Sequence, residues 1–481
     1  MNYTIKILLG IQIILFTTIS CQNTIEADLI ISNIDIVNVN TGNVLESQDV
    51  AIQNGIITHI VKHNEKNNYI TPKIVDGSKK FLIPGLWDMH AHIFDDGTPN
   101  LWKLKLMTTY GITGVREMYI LPNEQIDTVK SWNKAIQEKT KFIPRIGAVG
   151  TLVDGNPSIF KGVDTVITKQ SAREFVGKLK SKGVDFVKTY DNLSKEAFDE
   201  LIIEAEKADV YVAGHIPKSI SIEYASEAGI KSIEHSTGLN IACSHQEDSL
   251  RIKYSDKNTN AIQADMELAF QLLNSYDSVK NNQLNKVLAK NKTWVAPTLV
   301  LLKNWMNGET IETIEKRIDL TLIPTKEYSS DWKYMRDFKQ YAPTDYQLAL
   351  KEYYAHQQRL LLEMHKEGVL ILAGTDVGTP YIFPGLSLLD ELEEMTNAGL
   401  TNLEALQTAT LNPAIYLNKK EVLGTVDVGK YADLVILNDN PLIDIKNLKS
   451  NSGTVINGQL FDRNELDALL EKVKEEVVKK N

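Results

Sequence analysis

His90-Ala91-His92 closes the run Leu86-Trp87-Asp88-Met89. Side chains alternate with a period of two along a strand, so both imidazoles would point the same way and can share one metal ion. Alone, such a pair is weak evidence, because surface pairs are commoner than metal sites. Three more candidate donors each end another segment of strand-like texture. His215 follows Tyr211-Val212-Ala213-Gly214, His235 follows Ser232-Ile233-Glu234, and Asp376 follows Ala373-Gly374-Thr375. A carboxylate at the end of an apolar run is costly to bury without a partner. The other five of the nine histidines, His59, His63, His245, His356 and His365, fall in β-rich, loop or helical segments and read as structural.

Lys188 ends Val184-Asp185-Phe186-Val187. An ammonium beside two cations is repelled and disfavoured by desolvation. A neutral lysine amine can instead add carbon dioxide and become a carbamate whose two oxygens bridge two metals. The plainer reading is a lysine that snorkels to solvent or pairs with an acid; the histidines tip the balance toward the carbamate. Tyr190, two residues on, faces the same side of its strand and is a candidate donor to a developing oxyanion, or else a ring packed at the rim. Arg116 ends another strand-like run and is a candidate partner for a substrate carboxylate, although the plainer reading is an ion pair with Glu117 or another rim acid.

Positioning these groups requires strands that end together. Eight candidate strands alternate with helical segments: Leu86–His92, Ile112–Met118, Phe142–Gly150, Val184–Tyr190, Val210–His215, Lys231–His235, Thr293–Thr298 and Val369–Asp376. That alternation predicts a parallel sheet closed as a (β/α)8 TIM barrel over residues 85–418, with catalytic residues at the C-terminal strand ends. Helical runs at Asn260–Leu288 and Asp345–Lys366 are candidate lids or walls. Short β-branched runs at 29–84 and 419–462 are each too small to stand alone, so they are expected to pair as one small, discontinuous β-sandwich. Residues 463–481 predict a terminal helix.

The run Phe81-Leu82-Ile83-Pro84-Gly85-Leu86-Trp87-Asp88-Met89-His90-Ala91-His92 resembles the signature of the amidohydrolase superfamily. Val187-Lys188-Thr189-Tyr190, Ala213-Gly214-His215-Ile216-Pro217, Ser232-Ile233-Glu234-His235 and Gly374-Thr375-Asp376 resemble its imidazolonepropionase-like branch. So do the segments at 403–414 and 424–433. The resemblance implies a metal-dependent hydrolase with two divalent ions, zinc by preference. His90, His92 and Asp376 would hold one, His215 and His235 the other, and carbamylated Lys188 would bridge them. Imidazolonepropionase is mononuclear and lacks this lysine, so Lys188 points instead to relatives with binuclear centres, which include dipeptidases. The implied reaction is cleavage of an amide or other C–N bond, in a dipeptide, N-acyl amino acid or cyclic amide. Asp376 would shuttle the proton, and two ions bridged by hydroxide would supply nucleophile and Lewis acid. A lactone, ester or phosphotriester hydrolase on the same centre remains an alternative. A non-catalytic lipoprotein that binds metal or ligand is a third, although no ligand is missing.

The 481 residues, 43% hydrophobic and 24% charged, suit a soluble catalytic domain with a smaller companion. A net charge of −10 argues against nucleic acid as a partner and leaves a small-molecule substrate. Residues 1–21 read as a signal peptide. As a helix, the apolar run Ile7–Ile19 would be roughly 20 Å long, short of the ~30 Å hydrocarbon core. Thr18-Ile19-Ser20-Cys21 resembles a lipobox, which would make Cys21 a lipid anchor in the cell envelope and 22–28 a tether. An ordinary cleaved signal with a chance cysteine is the alternative. Cys243, the other cysteine, reads as an inert core or loop residue.

Overall fold

Eight parallel strands, Leu86–Ala91, Ile112–Glu117, Arg145–Asp154, Phe186–Thr189, Tyr211–Gly214, Ser232–Glu234, Trp294–Ala296 and Leu370–Ile371, pair in chain order in the computed structural model. The structure describes residues 24–64, 66–94, 98–121, 125–158, 163–236, 238–255 and 261–479. Cys21 and the leader expected at 1–21 lie outside them. The last strand returns to the first. Met89 N donates to Ala373 O (2.9 Å), Asp376 N to His90 O and His92 N to Val377 O (both 2.8 Å). With no edge left open, the sheet is a closed (β/α)8 barrel.

Each expected strand is present, though most are shorter. The third begins at Arg145, after Pro144, whose missing N–H cannot join the ladder. The eighth keeps only Leu370–Ile371 in regular pairing, yet its continuation still runs beside the first. Gly374 permits that approach, because a Cβ there would stand 2.7 Å from His90 Cβ. Asp88 pins the same seam by accepting from Thr375 Oγ1 (2.6 Å) and Thr375 N (3.1 Å).

The outer helices follow ordinary sequence rules. Lys195–Ala208 starts where Ser194 Oγ accepts from Ala197 N and stops at Asp209, which has φ 57°. Its buried Ala197, Phe198, Leu201 and Ala205 form one stripe against the barrel. The run expected as one wall at 260–288 is two helices, Ala261–Asn274 and Ser278–Asn291. They divide because Asp277 Oδ1 caps Val279 N (2.8 Å) and Lys280 N (3.2 Å). The second packs Leu284 and Leu288 into the barrel core, and only the first reaches the mouth.

Strands from both ends share the smaller unit. Phe81–Pro84 pairs antiparallel with Leu434–Leu437, joining Leu29–Val37, Val44–Gln53 and Ile56–Lys62 to Asn451–Ile456 and Gln459–Asp462 in one sheet. The sheet doubles over itself. Its two outermost hairpins meet, and a Cβ on Gly458 would lie 2.9 Å from Gly55 Cα. Its interior is filled by Ile31, Ile52, Leu82, Ile436 and Val455, so both chain ends build one core. The helix Arg463–Lys479 then buries Leu466, Val473 and Val477, and Glu476 pairs with Lys105 on helix Leu101–Thr109.

Candidate active site

The ends of strands one, four, five, six and eight carry His90 and His92, Lys188, His215, His235 and Asp376 to one place. His90 Nε2 and His92 Nε2 each lie 3.2 Å from Asp376 Oδ1. Lys188 Nζ lies 3.4 Å from both of those nitrogens. The His235 ring sits 4.4 Å from that of His90 and 5.1 Å from that of His215. Ligand atoms of His90, His235 and Asp376 all fall within 4.8 Å of one another, and all three residues are buried.

Other side chains fix the orientation of these imidazoles. His90 Nδ1 meets Glu234 Oε2 at 2.8 Å, and His215 Nδ1 meets Asp191 Oδ1 at 2.7 Å. A carboxylate only accepts, so each of these Nδ1 atoms carries a proton and leaves Nε2 as the coordinating nitrogen. His235 Nδ1 meets Thr298 Oγ1 at 2.9 Å. Asp191 is held in turn, its Oδ2 accepting from Ala261 N (2.7 Å) at the start of the wall helix.

Burial governs the charges. Burial, then the charge of Lys188, pushes His92 down to about 4. Burial and the neighbouring His90 hold His235 well below the ordinary imidazole value. Both rings are therefore neutral at pH 7. Burial also lowers Lys188, which favours its neutral amine. It would raise Asp376, but positive charge at the surrounding imidazoles, His235 first, or at a cation they would hold outweighs it and keeps the carboxylate ionised. Neutral imidazoles around a buried carboxylate form a donor set that suits a divalent first-row cation. The residues present fit a metal.

The backbone here is unusual. His235, Ser236, Thr298 and Asp376 all have positive φ, between 47° and 63°. Non-glycine residues pay for that conformation, and such strain gathers at functional sites. Asp376 is held in it by its N–H bond to His90 O.

Above the centre lies a cavity of about 990 Å³, lined by His92, Lys188, Tyr190, His215, His235 and Asp376 together with aromatic and aliphatic side chains of the wall helices. Tyr190 stacks on His215 with centroids 4.3 Å apart. Arg116 requires a correction. As a partner for substrate it does not hold, because it is fully buried and does not line the cavity; its other reading, an ion pair with an acid, is the one the structure shows. Its Nε donates to Met89 O (2.5 Å), Nη1 to Ser232 Oγ (2.9 Å) and Tyr416 OH (2.8 Å), and Nη2 to both oxygens of Glu234 (2.9 and 2.8 Å). So engaged, the guanidinium holds Glu234 behind His90. The alternative partner Glu117 instead accepts from Ile93 N (2.7 Å).

Residues 81–461 match the amidohydrolase family. The chain belongs to the amidohydrolase family. It is a hydrolase of carbon–nitrogen bonds. The imidazolonepropionase of Phocaeicola vulgatus is 23% identical over 410 residues, spanning 82% of this chain and 86% of that protein. An adenine deaminase of Clostridium perfringens is 27% identical over 210 residues, 40% of this chain and 34% of that one. Among solved structures, bottromycin amidohydrolase superposes with a TM-score of 0.73 at 19% identity, covering 93% of this chain and 90% of that one. A Xaa-Pro dipeptidase with bound methionine gives 0.64 at 18%, covering 90% and 99%. At such identities the structural likeness speaks for the fold alone.

Sequence reasoning missed Glu234, Asp191 and Thr298 as holders of this amidohydrolase centre. Two of them had a readable signal. Glu234 is an acid inside a buried strand, two residues from Ser232, and period-two alternation puts both on one face. Asp191 directly follows Tyr190 at the end of strand four. Thr298 reaches His235 only through the turn after strand seven, which no local pattern announces.

Proposed function

We propose that this amidohydrolase cleaves an amide or other C–N bond, in a dipeptide, N-acyl amino acid or cyclic amide, at a centre of two divalent ions, zinc by preference. The observation that carries the reading is the convergence of His90, His92 and His235 on Asp376, with Lys188 Nζ 3.4 Å from two of the imidazoles. His90, His92 and Asp376 would hold one ion and His215 and His235 the other. Lys188 would join them as a carbamate, its neutral amine adding carbon dioxide with loss of one proton. Bound ions would supply hydroxide at neutral pH and Lewis acidity toward the substrate carbonyl.

The chain's own residues do the rest. Asp376, ionised and at the cavity floor, takes the proton of the attacking water and delivers it to the leaving amine. Burial, then the charge of Asp191, keeps the Tyr190 hydroxyl protonated, so it can donate to the oxyanion that forms beside His215. Glu234 and Asp191 hold the imidazoles in the tautomer the centre needs.

The test is a library of dipeptides, N-acyl amino acids and cyclic amides, with lactones and phosphotriesters as competitors, assayed on wild type and Asp376→Asn. Amide turnover lost by about a thousandfold or more in the variant, with folding retained, is expected. Turnover of esters alone, or an unimpaired variant, overturns the reading.

From the leader alone, we also propose that the protein is exported and tethered to the cell envelope through Cys21. Among the described residues no helix is long and apolar enough to cross a membrane. Labelled fatty acid should enter the wild type but not Cys21→Ser; equal labelling would contradict the anchor.

A further inference from the structure

Part of the cavity wall is aromatic, beside polar side chains that include Gln263, Glu267 and Lys326. Trp305, on helix Leu299–Met306, stands 5.6 Å from Tyr334 and 5.4 Å from Phe338, both on helix Lys333–Tyr341. Phe338 is 6.2 Å from Tyr346, on helix Thr344–Lys366. All four rings line the same cavity as the catalytic residues, as do Ile262 and Met266 on helix Ala261–Asn274. These spacings are those of interacting aromatic pairs, so the rings form one continuous strip from three helices.

The strip is not finished core. Tyr334 is 55% exposed, and Trp305, Phe338 and Tyr346 are half-buried, whereas Trp332 close by in the sequence is 1% exposed. Apolar faces left open inside a concave site are where ligand burial contributes most. The cavity, at about 990 Å³, stands at the top of the range usual for ligand pockets and exceeds what a minimal amide needs. Recognition by a guanidinium is excluded at Arg116, which is sealed behind His90. The strip is also tied to the centre. The helix that carries Trp305 begins directly after Thr298, which holds His235.

Building on the amide-hydrolase reading, we infer that the substrate carries a large, flat apolar group, an aromatic ring system, which seats on Trp305, Phe338 and Tyr346 while its amide meets Asp376. These side chains are specificity residues. They bind the group remote from the scissile bond and do not touch the reacting atoms.

The experiment compares matched amides that differ only in a naphthyl group insulated from the amide by a methylene: N-acetylalanine against N-(2-naphthylacetyl)alanine, and alanine methylamide against alanine (2-naphthylmethyl)amide. In one of the two pairs the naphthyl member should be favoured about tenfold or more in kcat/KM. Trp305→Ala should cut that ratio by about tenfold through KM, the scale of one lost aromatic contact, with Phe338→Ala as an independent second variant. Tyr341→Ala, on the same helix but outside the cavity, should leave the ratio unchanged. Cleavage of amides with no naphthyl preference, or a preference that survives both wall variants, overturns the inference and leaves amide hydrolysis standing. If no amide is cleaved, the reaction assignment fails, and titration calorimetry judges the wall separately. In at least one of the two pairs the naphthyl member must then bind about tenfold tighter than its partner and lose that advantage in Trp305→Ala; equal binding in both pairs overturns the inference.

Discussion

His90 Nδ1 stands 2.8 Å from Glu234 Oε2, and both side chains are fully buried. Glu234 is gripped from behind by Arg116. A guanidinium, a carboxylate and an imidazole thus run in line from the barrel interior to the centre. Burial opposes ionisation of Glu234, but Arg116 and the bonds from His90 and Ser232 hold it well below the usual carboxylate range.

Glu234→Gln should therefore damage both the site and the fold. The amide leaves Arg116 as a buried charge without a counterion, a change that costs about 3–5 kcal/mol. It also frees His90 to turn or change tautomer, and losing such a support weakens metal binding by roughly 10–100-fold. Urea denaturation and chelator competition measure the two effects. A variant as stable and as metal-avid as wild type would contradict the role of this relay.

Asp191→Ala should act on the other half of the centre. His215 loses the acceptor that fixes its proton on Nδ1, and Ala261 N loses its cap. Metal content should fall toward one ion per chain, with stability lower by about 1 kcal/mol. Unchanged stoichiometry would show that His215 needs no such partner.

A buried acid near the site gives stability a pH dependence. Burial pushes Glu391 up from 4.5 to about 8, and its Oε2 accepts from Val300 N (2.6 Å) at the start of the helix that carries Trp305. The folded state then holds more protons than the unfolded one between about pH 4.5 and 8. This contribution is full below the unfolded value and is lost as pH rises through the folded one. The stability gap between wild type and Glu391→Gln should accordingly shift by on the order of a few kcal/mol between about pH 5 and pH 8.5, to the detriment of wild type at high pH. Denaturation midpoints at the two pH values measure it; a constant gap would contradict the assignment.

Much of this was legible because the barrel repeats a simple rule. Apolar runs end in donors, and strand ends gather at one mouth, so His90, His215, His235 and Asp376 could be placed from texture alone. Arg116 stayed open between substrate and ion pair because its strand end looks like the others; which way its guanidinium turns depends on Glu234, 118 residues away in sequence. The break at Asp277 escaped notice because the helical pattern continues on both sides of its cap. The aromatic strip was hidden for a similar reason. Trp305, Phe338 and Tyr346 lie on three helices, and no single helix shows the pattern.

The most direct test of the central claim is metal content measured alongside activity on the purified chain. Elemental analysis should find close to two divalent ions per chain. Chelation should remove them together with amide turnover, and zinc should restore both. Near one ion per chain would contradict the bridging role of Lys188. No bound metal in a protein that remains active would contradict the account as a whole.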